Sequence, residues 1–493
     1  MNLWNVERIK GDEIKTIIHY TGFLLISIAS FMMVPIITSI LCNDGSTYFY
    51  SFINSAIISL SLGLICYYLF DFDELTNLSF KASLIFVLSA WILSALICAL
   101  PMVISRDLSF IDAYFESMSG ITSTGFTMYA NVPVAYSIRI WRSLLQWLGG
   151  LGVIILLLVL LPSSLSLKRL YLAEGNTEEI TPNVKHNSMM FIKIYTILTV
   201  LAIALYVLVG LDVFNAVCYS FAGLGTGGFS SDPNYLNNFS NPLVEIVTIL
   251  VMIAGAINFV LHYYLLKGKL NRVHRDIEIR GMLIIIVFAT IIVMFSLLQN
   301  NFYNHDLLVT FRHSLFQVVS VLTSTGFSST DITLWPPLSY HILILLMFIG
   351  GCATSTASGI KIYNVAVMIK DLWWEIQSML LPKGVTIKRK IHHNNREIHL
   401  TNDSLRQIFA FILIYILLFV FSTLIVLMFC NNFEVAYSIV ASSIGNTGIG
   451  PSYINPSIPF VVKIVLIFDF LAGRIGIWPA LLPFVYLVNR FNK

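Results

Sequence analysis

The sequence predicts an all-α polytopic membrane protein in which one structural unit occurs four times after two N-terminal spans. Of its 493 residues, 57% are hydrophobic and only 11% are charged, whereas soluble domains carry about 25% charged residues. Several apolar runs approach the ~20 residues that a helix needs to cross a bilayer. A third observation, a glycine loop that recurs four times, indicates the internal repeat.

Ten apolar segments are predicted to span the membrane. They lie near residues 17–41, 52–70, 80–104, 137–161, 189–211, 242–266, 281–298, 340–370, 407–430 and 459–488. Acidic residues (Glu7, Asp12 and Glu13) precede the first run, which is not typical of a cleavable signal peptide. The six cysteines are scattered without a C-x-x-C pair, so neither a disulfide framework nor a zinc site is indicated.

The distribution of basic residues predicts the orientation in the membrane. Three connections are rich in Lys and Arg: 168–185, 267–280 and 383–396. Three alternate connections contain neither: 42–51, 225–241 and 431–458. By the positive-inside rule the basic connections are cytoplasmic, which places both termini of this multi-pass chain in the cytoplasm. Because topology accounts for the basic clusters, we expect no nucleic-acid partner.

One short loop recurs along the chain. Its copies read ITSTGFT at 121–127, GTGGFSS at 225–231, TSTGFSS at 323–329 and GNTGIGP at 445–451. Each copy follows an apolar segment that is too short to span the membrane. We therefore predict a fourfold pseudo-symmetric repeat of span, pore helix, filter loop and span. The predicted boundaries are 1–78 for the two N-terminal spans and 79–168, 169–270, 271–383 and 384–493 for the four repeats.

The second loop overlaps GLGTGG at 223–228, which matches the dinucleotide-binding pattern G-x-G-x-x-G, with Glu245 near the expected position of a ribose-binding acid. That pattern has its meaning only between a strand and a helix. Here it joins two membrane segments. We therefore expect no dinucleotide and no organic cofactor.

Four such loops around one axis predict a cation pathway. Non-helical backbone at membrane depth is tolerated where it lines a cavity or is buried in protein. Rings of carbonyl oxygens can replace the hydration shell of a cation, and glycine permits the backbone angles that aim those carbonyls inward. An alternative interpretation is that the small residues only let helices pack closely.

These residues resemble the membrane subunit of the bacterial Trk and Ktr potassium-uptake systems. The similarity includes FIDAYFESMSGITSTGF at 110–126, RSLLQWLGGLGVIIL at 142–156, GGCATSTASGIK at 350–361 and the pair Gly473–Arg474. The two additional N-terminal spans match the Trk branch. The resemblance implies a potassium-translocating subunit of a bacterial inner membrane, surrounded by lipid. It also implies a homodimer and a cytosolic nucleotide-binding regulatory subunit of the TrkA type, which we expect to dock on the basic connections 267–280 and 383–396.

The resemblance assigns twelve residues to a K⁺-binding filter, and K⁺ at these residues is the only metal ion expected. They are Ser123, Thr124, Gly125, Thr226, Gly227, Gly228, Ser324, Thr325, Gly326, Asn446, Thr447 and Gly448. In plant relatives a serine in place of the first glycine accompanies sodium transport, so Gly125 indicates potassium.

The resemblance also implies an intramembrane gate after the third loop. Glycine and hydroxylated residues form helix poorly, so the span is predicted to break there, and no other second span contains such a run. The gate residues are Gly350, Gly351, Cys352, Ala353, Thr354, Ser355, Thr356, Ala357, Ser358, Gly359 and Lys361, together with Arg474 from the last span. A flexible kink without a gating role is the alternative.

Some positions depart from the family pattern. Ile449 and Gly450 make the fourth loop unusual, and Gly476 stands where relatives carry an acidic residue, for which Asp469 is a candidate replacement. These departures leave open a non-conducting family member. An intramembrane enzyme is a third hypothesis, although the chain has neither G-x-S-x-G nor H-E-x-x-H.

Three ionisable residues admit two interpretations each. Glu116 either attracts cations at the outer mouth or holds the first pore helix against its neighbours. His262 and His341 lie in predicted spans, where a proton relay competes with the favoured interpretation of histidines hydrogen-bonded between helices. The sequence does not decide between channel-like and coupled transport.

Overall fold

The computed structural model describes residues 10–70, 76–129, 134–152, 155, 158, 165–173, 183–230, 241–382, 389–394, 396–451 and 453–481. Parts of the predicted spans 137–161 and 459–488 lie outside these residues, as does most of 383–389 in the third basic connection.

Two N-terminal spans precede the repeats. Helix α1 (Gly11–Phe31) continues into α2 (Met33–Leu41), and α3 (Ser46–Tyr68) returns beside α1. A Cβ at Gly22 would lie 2.7 Å from the carbonyl oxygen of Gly63, so only glycine lets the two helices approach this closely.

The first two repeats occupy the middle of the chain. The first consists of α4 (Phe80–Ile104), α5 (Phe110–Ile121) and α6 (Tyr136–Leu151), and α7 (Leu165–Ala173) follows it. The second consists of α8 (Val184–Leu208), α9 (Val213–Leu224), α10 (Pro242–Ala256) and α11 (Phe259–Leu266), with α12 (Leu270–His274) as a connection.

The third and fourth repeats complete the described part of the chain. The third consists of α13 (Ile277–Gln299), α14 (Leu307–Leu322), a 3₁₀ turn (Ile332–Leu334), α15 (Pro337–Ile349) and α16 (Ile362–Leu380). Strands β1 (Lys390–His393) and β2 (Arg396–His399) then form an antiparallel hairpin in which Ile391 faces Ile398. The fourth consists of α17 (Asn402–Leu427), α18 (Phe433–Ile444) and α19 (Phe460–Ile475).

The short helix of every repeat begins at a capping side chain. Each cap accepts a hydrogen bond from an N–H of the first turn, which satisfies a donor that the helix itself leaves unpaired. The caps are Ser109, Asp212, Asp306 and Asn432. This local signal explains why the apolar segments start as separate helices rather than as continuations of the preceding spans.

Six described helices are long and apolar enough to cross a membrane, with Gly11–Leu41 counted as one, and α10 with α11 forms a seventh, bent span. The remaining three predicted spans correspond to the interrupted helices α6, α15 and α19. The sequence indicated a break only in the third repeat, whereas the second span of every repeat is interrupted. Helix α6 ends at Gly152 (φ 97°) and α19 at Gly476 (φ 86°). Helices α10 and α11 are bent by 110°, and the Asn258 side chain caps α11 there.

Candidate functional site

The four glycine loops have the same backbone shape. The residue two positions before the aligned glycine is left-handed in each loop, with φ of 56° at Ser123, 50° at Thr226, 55° at Ser324 and 50° at Asn446. The glycine itself also has positive φ, between 71° at Gly228 and 95° at Gly125. Residues with a side chain rarely adopt this backbone conformation, which explains why glycine occupies this position in all four loops.

The loops contact one another in a closed ring. A Cβ at Gly125 would overlap the carbonyl oxygen of Gly227 in the second loop, and one at Gly228 would overlap that of Thr325 in the third. Likewise Gly326 faces the Thr447 carbonyl in the fourth loop, and Gly448 faces the Thr124 carbonyl in the first. The order of contacts is therefore one, two, three, four and back to one. The twelve residues assigned to the filter all lie in these loops.

Serine hydroxyls brace the first and third loops from within. Ser119 Oγ donates to the Phe126 carbonyl at 2.6 Å and accepts from Gly125 N at 3.1 Å. Ser320 Oγ donates to the Phe327 carbonyl at 2.5 Å in the corresponding position. These bonds fix the exit of each loop while leaving the carbonyls before the glycine to other partners.

Neighbouring elements brace the second and fourth loops. Gln146 of α6 donates to the Gly227 carbonyl at 2.6 Å and accepts from Phe229 N at 3.0 Å. Asn446 donates to Thr124 Oγ1 at 2.7 Å and to the Phe470 carbonyl at 2.9 Å. The sequence interpretation missed Gln146, although a polar residue in an apolar span was a visible signal. One assigned coordinating carbonyl, that of Gly227, is thus also a hydrogen-bond acceptor within the protein.

Glycines of the second spans receive the C-terminal ends of the short helices. A Cβ at Gly149 would overlap the Ile121 carbonyl, and one at Gly473 would overlap the Ile444 carbonyl. At Gly255 a Cβ would lie 2.7 Å from the Leu224 carbonyl. Close packing and loop conformation are therefore not competing explanations, because different glycines serve each.

Glu116 holds the first loop in place. Its carboxylate lies 2.7 Å from Arg142 Nε and accepts a hydrogen bond from Met128 N at 2.6 Å, and Glu116 is only 1% exposed. The Arg142 guanidinium also lies 4.1 Å from the ring centroid of Phe229 in the second loop. This geometry favours the packing interpretation of Glu116 over cation attraction.

The two span histidines hydrogen-bond to backbone carbonyls. His262 Nε2 lies 2.8 Å from the Ala254 carbonyl oxygen, and His341 Nδ1 lies 2.6 Å from that of Pro337. The His262 contact joins α11 to α10 and fits the favoured interpretation of a histidine hydrogen-bonded between helices, whereas the His341 contact lies within α15.

The predicted break after the third loop is present, as residues 350–361 between α15 and α16. Positive φ occurs at Gly350 (74°), Thr354 (46°), Gly359 (89°) and Lys361 (76°), none of which fits an α-helix. The backbone N–H and C=O groups of this intramembrane loop (residues 350–361) therefore need hydrogen-bond partners outside a regular helix.

The intramembrane loop docks on the break in the second repeat. Cys352 N donates to the Ala256 carbonyl at 3.0 Å, and Thr356 N donates to that of Gly255 at 3.2 Å. In return Phe259 N donates to the Thr354 carbonyl at 3.2 Å. Each interruption thus supplies the backbone partners that the other lacks, a relationship that no local sequence pattern encodes.

Arg474 contacts the intramembrane loop as the resemblance implied. Its guanidinium donates to the carbonyl of Thr356 and to the carbonyls of Gly149 and Gly150, the last at 2.7 Å. Lys361 Nζ donates to the Ala357 carbonyl within the loop. Asp469, considered as a replacement acid, accepts a hydrogen bond from Ser422 at 2.8 Å.

A cavity of about 360 Å³ lies beside these residues. Its wall includes the interruption of every second span, through Gly152, Phe259, Thr354 and Gly476. Arg474 and Lys361 also line it, so two cationic side chains stand where the four interruptions meet. An arrangement of this kind can oppose the passage of a cation through electrostatic repulsion.

A family model described as TrkH, cation transport protein, matches residues 50–491. The chain belongs to the TrkH family. Membership confirms the resemblance to the Trk branch and the all-α polytopic fold. It also places the chain among cation transporters and rules out the intramembrane-enzyme hypothesis.

Similar TrkH-family proteins match almost the whole chain. It is 32% identical to an uncharacterized cation transporter of Methanocaldococcus jannaschii, over 97% of each chain. It is 30% identical to the Trk system potassium uptake protein TrkG of Escherichia coli, over 96% of this chain and 98% of that protein. The crystal structure of the potassium transporter TrkH from Vibrio parahaemolyticus superposes with a TM-score of 0.84 at 26% identity, covering 95% of this chain and 98% of that one.

Proposed function

We propose that this protein is the potassium-translocating subunit of a Trk-type uptake system in the inner membrane, with both termini cytoplasmic. The observation that carries the proposal is the closed ring of four glycine loops, in which each glycine touches the carbonyl of the next loop. Relatives named as potassium uptake proteins support K⁺ as the ion. No organic cofactor enters the proposal.

The ring selects the ion through backbone oxygens. The assigned positions in each loop are the three residues that end at Gly125, Gly228, Gly326 or Gly448. Carbonyl dipoles held at fixed spacing replace the hydration shell of a dehydrated cation. Bracing by Gln146 and by the serine hydroxyls keeps those dipoles in place, and the membrane potential supplies ~2.3 kcal/mol per charge per 100 mV for inward movement.

The intramembrane loop gates the pathway. It lies between α15 and α16 with Arg474 bonded to the Thr356 carbonyl. Moving the loop away from Arg474 and from the second repeat opens the cavity toward the cytoplasm. We assign control of that movement to a cytosolic nucleotide-binding subunit of the TrkA type, and we assign the working unit to a homodimer of this chain.

Rubidium flux tests the proposal. Purified protein in potassium-loaded vesicles is expected to accumulate rubidium, with external potassium competing better than external sodium. A matched pair of variants locates the filter. Gly326→Ala places a methyl group against the Thr447 carbonyl and is expected to abolish flux, whereas Gly210→Ala, also at positive φ but with no atom within 4 Å of the new Cβ, is expected to retain it. No flux from folded wild-type protein would refute the proposal and favour a non-conducting member of the family.

A further inference from the structure

Asp276, Glu278 and His393 form a buried cluster at the junction of the β-hairpin and the intramembrane loop. Both acidic side chains are fully buried, and His393 is 5% exposed. One nitrogen or oxygen atom from each side chain lies within 4.8 Å of those of the other two. The cluster is outside the twelve filter residues and the gate segment, and the ion pathway described above does not use it.

On one side the cluster contacts the interruptions of the second and third repeats. Glu278 Oε1 accepts a hydrogen bond from Ala353 N of the intramembrane loop at 2.6 Å. Glu278 Oε2 accepts from Asn258 Nδ2, at the bend of the second repeat, at 3.4 Å. A hydrogen bond to an ionised acceptor in a buried site is among the stronger ones in proteins. One carboxylate thus fastens the loop at the point where it docks.

On the other side the cluster contacts the hairpin. His393 Nδ1 lies 3.3 Å from Asp276 Oδ2 and 3.9 Å from Glu278 Oε2. Asn394 N, in the hairpin turn, donates to Asp276 Oδ2 at 2.8 Å. Burial alone raises the pKa of the Asp276 carboxyl, but the adjacent His393 imidazole and hydrogen bonds from the N–H groups of Asn394 and Glu278 outweigh burial and hold that pKa below its usual value. The carboxylate therefore depends on the hairpin for its partners.

The hairpin packs against a small apolar cluster that is separate from the main core. Ile391 is 1% exposed and packs in one cluster with Ile277, Val367 and Leu405. A two-stranded hairpin is at best marginally stable by itself. Its position therefore depends on contacts with the neighbouring helices, which include this apolar cluster and the contacts of His393.

We propose that Glu278 is a positioning residue that holds the intramembrane loop, and that the hairpin controls Glu278 through His393 and Asp276. Withdrawal of His393 leaves two buried carboxylates short of partners, which is costly. The carboxylates then rearrange toward water, and Ala353 loses its acceptor. The inference deepens the proposed gate and rests on it. In this proposal the hairpin is the surface on which a cytosolic regulator acts.

Native Cys352 provides a test that does not depend on ion flux. It is 0% exposed and adjacent to Ala353, so the rate at which a small membrane-permeant thiol reagent labels it measures displacement of the loop. The full-length protein is used with the other five cysteines replaced by serine. His393→Ala and Glu278→Gln are each expected to raise the labelling rate about tenfold, because loss of one charged hydrogen bond shifts a two-state equilibrium by about that factor.

A matched control is available in the same strand. His392 is the neighbour of His393 and points to the opposite face of β1, so His392→Ala is expected to label at the parent rate. The double variant His393→Ala/Glu278→Gln is expected to label like Glu278→Gln alone, because both changes act on the same hydrogen bond. Two independent structural effects would add instead.

Two results would overturn the proposal, and a third would separate coupling of the hairpin to the loop from gating by the loop. Labelling of His393→Ala at the rate of His392→Ala removes the hairpin from the control of the loop, and this variant carries the test even where Glu278→Gln does not fold. Additive effects in the double variant refute action through Glu278. Faster labelling with unchanged rubidium flux retains the coupling but refutes gating by the loop, so the two proposals fail in different ways.

Discussion

Arg474 donates a hydrogen bond to the main-chain carbonyl of Thr356, so the last membrane helix holds the intramembrane loop of the third repeat. The same guanidinium also bonds the carbonyls of Gly149 and Gly150 in the first repeat. Three repeats therefore meet at one side chain, and replacing it tests the gate.

Arg474→Ala is expected to raise basal rubidium flux about tenfold or more, because loss of hydrogen bonds from a charged donor costs about 1.5–3 kcal/mol each. Deletion of most of residues 352–358 is expected to act in the same direction. The measurement is flux into vesicles without a regulatory subunit. Arg406→Ala, at an exposed position of α17, is the control and is expected to conduct like wild type. Wild-type flux in both gate variants would place the gate elsewhere.

Gly125→Ser is expected to weaken the discrimination of potassium from sodium. The new side chain has to occupy a left-handed position with φ of 95° and to displace the Gly227 carbonyl. Competition of each ion against rubidium uptake gives the ratio. Gly210→Ser has the same φ of 95° without the crowding, and an unchanged ratio is expected for it. If both variants keep the wild-type ratio, Gly125 is not part of the filter.

Gln146→Leu is expected to reduce selectivity through the second loop. It leaves the Gly227 carbonyl and Phe229 N without the bonds of 2.6 and 3.0 Å that the amide provides. Unsatisfied buried groups cost about 1–3 kcal/mol each, which is enough to change the loop conformation. Gln146→Glu keeps an acceptor for Phe229 N but loses the donor, so the comparison separates the two bonds. Selectivity equal to wild type in both variants would contradict the bracing role.

Lys463→Met is expected to lower thermal stability. Lys463 and Asp112 form a buried ion pair in which the two side chains are 6% and 8% exposed. Removing one partner of such a pair costs about 3–5 kcal/mol, because the other charge stays buried without compensation. The midpoint of thermal unfolding in detergent measures the effect. The double variant Lys463→Met/Asp112→Leu is expected to recover most of the loss, and a double variant as unstable as the single one would show that packing, not charge, is responsible.

Charge reversal in the connection 267–280 is expected to impair co-purification of the regulatory subunit while leaving membrane insertion intact. Lys267, Lys269, Arg272, Arg275 and Arg280 are the basic residues concerned. Retained binding would mean that these charges only fix topology.

The repeat itself was predictable because its signals are local. Gly125, Gly228, Gly326 and Gly448 align by sequence alone, and the left-handed residue two positions before each glycine is a property of the loop. The bend at Asn258 was not predictable, because Phe259 N finds its acceptor in the third repeat, at Thr354. The hairpin was not predicted either, because it lies in a connection whose basic residues indicate only an ordinary cytoplasmic loop. Both features depend on contacts with residues that are far away in the sequence.

The docking of the intramembrane loop on the second repeat uses main-chain atoms on both sides. Cys352 N, Thr356 N and the Thr354 carbonyl make these bonds, so the identity of the side chains matters mainly through their size. When the loop moves away, the Gly255 and Ala256 carbonyls also lose their hydrogen-bond donors. Inside a bilayer the available replacement is water. In the proposed gate, opening is therefore a hydration event as well as a displacement, and the conducting state is expected to contain water at the level where the loop backbone now docks.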